Sequence, residues 1–172
     1  YDTPDWTSTA VIYKIFPRVF SEQGDFRSIK PELPPNRALG ADIVWLTPIH
    51  PISHEARKGS WGSPYAIDDY RAVNPDFGTE DDLAALATAV KSHGMKLMID
   101  VVYNHTGVGS VLSKEHPEWF FQRDGRIGRK FDEWSDVWDL DHAQPGLADY
   151  LIDCLEKWVR LGVEGFRCDV AS

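Results

Sequence analysis

Four short runs of apolar and β-branched residues punctuate the chain. Residues 11–16 (VIYKIF) end at Pro17, residues 43–46 (IVWL) are closed by Pro48, and residues 97–102 and 165–170 complete the set. Runs of this length and composition, bounded by proline or glycine, read as strands. Their near-continuous apolar character predicts a sheet covered on both faces. Helical spacing fills the intervals. Thr79 is a good N-cap, and Asp82 stands at the capping-box position in place of the usual Glu or Gln. Leu83, Leu86, Ala87 and Val90 follow on one face, and Gly94 ends the run. A second helix is predicted to start at Pro145, with Leu147, Leu151, Leu155, Trp158 and Val159 as its apolar stripe and Gly162 as its stop. Pro31, Pro34 and Pro35 interrupt the first crossover, so a short or broken helix is expected there.

Strand and helix therefore alternate, which implies a parallel sheet, open or closed as a barrel. Two connections are long, 47–77 and 103–144, and both follow the C-terminal ends of strands. In barrel enzymes that face carries the active site, and long loops in compact domains are usually functional.

Composition changes this picture little. The 172 residues are 42% hydrophobic and 26% charged, enough for one domain with a real core. The net charge of −9 argues against a nucleic-acid partner. No apolar run approaches the length of a membrane span. The chain begins at Tyr1 and shows no signal peptide, which leaves cytoplasmic and secreted locations both open. Cys154 and Cys168 lack metal-ligand spacing and are expected to be buried free thiols. Seven tryptophans offer rings for core packing or for stacking on sugars.

The chemistry gathers at the strand ends. Asp100 lies inside an apolar strand, where a carboxylate is costly unless paired. Arg167 is embedded in the fourth strand, and alternation puts it on the same face as Asp169. A carboxylate beside a fixed guanidinium stays ionised, as a nucleophile must. A buried structural ion pair is the alternative, and spacing alone does not choose between them. His105 at the start of a loop is either structural or a donor to a sugar hydroxyl.

Residues 100–105 (DVVYNH) resemble the first signature of the α-amylase family, glycoside hydrolase family 13, and residues 165–169 (GFRCD) resemble its second. Gly62 to Tyr65, Asp69-Tyr70 and residues 74–79 are similar to the family's segment after the second strand, and residues 137–141 to its motif near the end of the inserted domain. The resemblance implies an α/β fold: the first half, about four β/α units, of a TIM (β/α)8 barrel spanning 1–172, with 103–144 as an inserted loop domain. It implies retaining chemistry on starch- or maltodextrin-like α-glucans, with an α-glucosidase, a glucanotransferase or a non-catalytic carbohydrate-binding half-barrel as alternatives. Asp169 matches the nucleophile, Arg167 the residue that orients it, and Asp100 the carboxylate that holds the arginine. His105 and Tyr65 match sugar-binding positions, and Trp61 is a further candidate for holding a glucan. Asn104 and Asp139 match positions that bind calcium in many members, hydrogen bonding of loops being the alternative. No organic cofactor is implied. The family's general acid follows a fifth strand, so the 172-residue chain alone is expected to be inactive and to need the rest of the barrel, or self-association, to cover its open faces.

Overall fold

The structure, a computed structural model, describes residues 4–171. Its elements run β1 (Ile12–Ile15), α1 (Pro17–Phe20), α2 (Leu33–Ala38), β2 (Ile43–Leu46), α3 (Glu80–Ser92), β3 (Lys96–Val102), β4 (His105–Gly107), α4 (Val111–Glu115), β5 (Gln122–Arg123), β6 (Arg126–Ile127), β7 (Val137–Asp139), α5 (Leu147–Arg160) and β8 (Gly165–Asp169). The main sheet has the order β1-β2-β3-β8, with β1–β2 and β2–β3 parallel. Successive strands added side by side, with helices between them, are the arrangement expected of the opening units of a (β/α)8 barrel. Among the described residues, no helix is long and apolar enough to cross a membrane.

The chain divides into two compact units. The first comprises the chain up to Thr47, with Pro75–Asp100 and Val159–Arg167. Its core holds Val44, Leu46 and Leu97 from the sheet and Leu83, Leu86 and Val90 from α3, all essentially inaccessible. The prolines do break the first crossover, into a 3-10 turn (Arg27–Glu32) followed by the six-residue α2. Helix α3 begins where the cap predicts: the Thr79 hydroxyl accepts from the Asp82 amide at 3.2 Å, and the Asp82 carboxylate accepts from the Thr79 amide at 3.0 Å. Asp82 also binds Arg27 at 2.7 Å.

The second unit comprises Pro48–Asn74, Val101–Trp158 and the residues from Cys168 on. Its core gathers Ile67, Tyr70, Val102, Trp119, Phe120, Leu140 and the inner face of α5. His50 is buried here, with its ring edge-on to Tyr70 and tilted against Trp158, and Nδ1 is 3.1 Å from the Ala72 carbonyl.

Three expectations are corrected. Helix α5 starts at Leu147 rather than Pro145, because Gly146 takes φ +88°, which is not helical, and the Pro145 carbonyl accepts the Trp119 indole instead. Its buried stripe is Leu147, Tyr150, Leu151, Cys154 and Trp158, while Val159 is exposed. Cys154 is buried as expected but Cys168 is exposed, for it lies on β8, the edge of the sheet among the described residues. The central strands β2 and β3 are buried except at the half-buried Trp45, Lys96 and Met98, whereas β1 and β8 are far less covered.

Two titratable groups, one at the start of α3 and one in the core of the second unit, make stability depend on pH. The Arg27 hydrogen bond, then the Thr79 amide and hydroxyl, hold the Asp82 carboxyl down at about 2, below its ordinary 3.8. A depressed carboxyl stabilises the fold fully above the unfolded value and loses that contribution as pH falls through the folded one. Melting temperature should therefore drop between pH 4 and pH 2 and drop less in Asp82→Asn, while Thr79→Ala should cost about 1 kcal/mol at neutral pH by denaturant titration. Burial pushes the His50 imidazole down to about 4 from 6.5. Between those values the unfolded chain holds a proton that the folded chain does not, so stability should decline as pH falls from 6.5 to 4. His50→Gln, which keeps a donor for Ala72, should flatten that decline in the same melting series.

Candidate active site

In the first unit, β3 and β8 place the charged pair. Asp100 is fully buried, and Arg167 Nη1 reaches its two carboxylate oxygens at 3.0 and 3.3 Å. The guanidinium lies 5.4 Å over the Trp45 ring on β2, whose indole also faces the Lys14 ammonium at 4.6 Å. An arginine is suited to this place because its planar head can pair with a carboxylate and lie over an aromatic face at once. The predicted partnership of Asp100 and Arg167 is present. Two residues further on, Asp169 closes β8 and belongs to the second unit. It is followed by Val170 at φ +48°, a conformation that a β-branched side chain resists, so the chain turns under strain directly after the carboxylate.

In the second unit, Tyr65 and His105 line a cavity of about 250 Å³ together with Lys58, Ser63, Trp134 and Asp136. β4 pairs antiparallel with β7, setting His105 opposite Asp139. The imidazole is bonded to the Tyr65 backbone, and its Nδ1 is 3.1 Å from the Asn104 amide nitrogen. Burial lowers its pKa, and the opposing pull of Asp139, Asp169 and Asp136 is smaller. His105 is therefore neutral at pH 7, with Nδ1 as acceptor and Nε2 carrying the proton.

Asn104 and Asp139 are also together. The Asn104 amide donates to Asp139 Oδ1 at 3.2 Å, and the Lys130 amide donates to Oδ2. Both carboxylate oxygens thus face N–H donors. The pair ties the exit of β3 to β7 and to Lys130, and both side chains carry the oxygen atoms that calcium favours.

Trp61 is 65% exposed and lies outside the cavity. Three contributors escape the sequence reading. Trp134 stands edge-on to His105 at 5.6 Å, Lys58 pairs with the buried Asp136 at 2.8 Å, and the Tyr70 hydroxyl lies 2.6 and 2.7 Å from the Val102 and His105 carbonyls. Only Tyr70 lies in a motif, and nothing in its spacing predicts that its hydroxyl anchors the exit of β3. A separate hollow of about 470 Å³ lies along the β5–β6 hairpin, lined by Arg123, Arg126 and Arg129, and shares no residue with the His105 cavity.

Residues 14–172 match the α-amylase catalytic-domain family. The chain is 49% identical to the crystal structure of an α-amylase from Lactobacillus plantarum, with a TM-score of 0.91 over 94% of this chain and 38% of that one. A maltogenic α-amylase from Thermotoga neapolitana follows at 39% identity and a TM-score of 0.90, covering 95% and 39%. Trehalose-6-phosphate hydrolase of Escherichia coli is 29% identical over 98% of this chain and 36% of its own length. The chain thus spans somewhat over a third of the relatives it matches.

The buried pair sets a clear energetic expectation. Arg167→Ala removes the guanidinium from a fully buried carboxylate, which should cost about 3 kcal/mol or more. Asp100→Ala leaves a guanidinium that is 36% exposed and can reach water, so it should cost less. Chemical denaturation of the two variants checks the order.

Proposed function

Because the chain belongs to the α-amylase catalytic-domain family, we propose that it supplies the nucleophile half of a retaining glycosidase site acting on starch- and maltodextrin-like α-glucans. The reading rests on one observation above the others: the Arg167–Asp100 pair fixes a guanidinium two residues before Asp169. Alternation along β8 turns Arg167 and Asp169 to the same face. The α-amylases from Lactobacillus plantarum and Thermotoga neapolitana, at 49% and 39% identity, support a glucan substrate.

In this reading an Asp169 oxygen attacks the anomeric carbon while the bond to the leaving sugar oxygen breaks. A second carboxyl group, in the part of the barrel that this chain does not span, protonates that oxygen. The product is a β-linked glycosyl ester on Asp169. Water, deprotonated by the same second group, then displaces the ester and restores the α configuration. Neutral His105 donates a hydrogen bond to a sugar hydroxyl in exchange for its bond to the Tyr65 backbone, and the Tyr65 ring lies under the sugar. Catalysis is assigned to the complete protein that contains this chain.

The test is to trap the ester. A fluorinated α-glucosyl fluoride, which forms the intermediate quickly and releases it slowly, should add one glycosyl mass to the peptide that contains Asp169. Asp169→Asn should abolish labelling and lower kcat by about 10⁴-fold or more while the protein stays folded. Labelling elsewhere, or near-normal turnover by the variant, would refute the assignment. Product analysis with maltooligosaccharides separates hydrolysis from transfer.

A further inference from the structure

Trp134 has no place in any motif, yet it occupies the cavity of Tyr65 and His105. It is 36% exposed, unusual for so large an apolar ring, and Phe131, at 5.3 Å, is 56% exposed beside it. The edge-on contact with His105, at an interplanar angle of 64°, leaves a ring face free of that partner. An accessible aromatic face beside a buried carboxylate and a cation is the chemistry that recognises a pyranose, whose C–H face stacks and whose hydroxyls need both acceptors and donors.

The ring is also held in place. Lys58 Nζ donates to the Glu133 carbonyl at 3.1 Å and pairs with Asp136 at 2.8 Å. These two anchors bracket Trp134. Turn bonds complete the frame, from the Trp134 amide to the Phe131 carbonyl and from the Val137 amide to the Trp134 carbonyl. Asp136 is 5% exposed, and its carboxylate meets the Lys58 ammonium there. Ordering a ring before the ligand arrives removes an entropy cost that would otherwise weaken binding.

We propose that Trp134 is a stacking platform for a glucosyl unit, next to the sugar held by Tyr65 and His105, and that Lys58 is a positioning residue that sets it through Glu133 and Asp136. The inference rests on the glycosidase reading above and adds a specificity determinant to it.

The experiment uses the complete protein with maltooligosaccharides of increasing length. Trp134→Ala should raise KM about tenfold with kcat changed far less, the pattern of lost uniform binding. Trp134→Tyr should recover part of the affinity. Lys58→Met should raise KM in the same way, and Lys58→Arg should restore it, because the guanidinium can reach both anchors. The fluorinated trap counts competent sites in every variant, so loss of folded protein is not mistaken for loss of affinity. An unchanged KM in Trp134→Ala at full trap occupancy overturns the platform. An unchanged KM in Lys58→Met overturns the positioning role. If Asp169→Asn remains active and unlabelled, the assignment of Asp169 as nucleophile fails instead, and if the complete protein cleaves no maltooligosaccharide, the glycosidase reading fails.

Discussion

A carboxylate with no exposed surface is the constraint on which the first unit turns. Asp100 sits in β3 among Ile99, Val101 and Val102, all buried, and an ionised group there is tolerable only with a partner that never loses its charge. Arginine alone among the side chains meets that condition. β8 delivers Arg167 to it, and β2 delivers the Trp45 face against which the guanidinium lies. Replacing the pair with apolar residues would often cost a protein nothing in stability.

The second unit solves the same problem several times with different donors. Asp139 is satisfied by the Asn104 side chain and the Lys130 amide, and Asp136 by Lys58. His50 is satisfied by a carbonyl and remains neutral. Each buried polar group fastens stretches of chain that lie apart in sequence. The long connections expected to carry function are ordered in this way: 48–74 and 101–158 fold with each other into one unit.

Much of the scaffold was legible because its signals are local. The apolar runs mark β2 and β3 almost to the residue, and the cap at Thr79 locates α3 because both of its hydrogen bonds lie within four residues. Asp100, Arg167 and His105 were legible because a polar residue inside or beside an apolar strand is conspicuous. The failures share a cause. Gly146 moved the start of α5 because one residue's backbone freedom outweighed the preference of Pro145 for a first turn. Cys168 was misjudged because its composition reads as interior while its strand is an edge. Lys58 and Trp134 carry no period and no motif, and their roles exist only once 48–74 and 101–158 meet.

The state of His105 shows why residue type alone could not define this site. Three carboxylates, Asp139, Asp169 and Asp136, favour its protonation. Burial outweighs them because removing an imidazolium from solvent costs more than those acids return. A neutral imidazole has one acceptor and one donor, and Asn104 occupies the acceptor. The donor is then the only polar atom left to the ring, and it is bonded to the Tyr65 backbone. An imidazolium would offer a full charge to water and anions alike. A neutral ring with a single directed N–H discriminates by geometry, the property on which the proposed role of His105 depends.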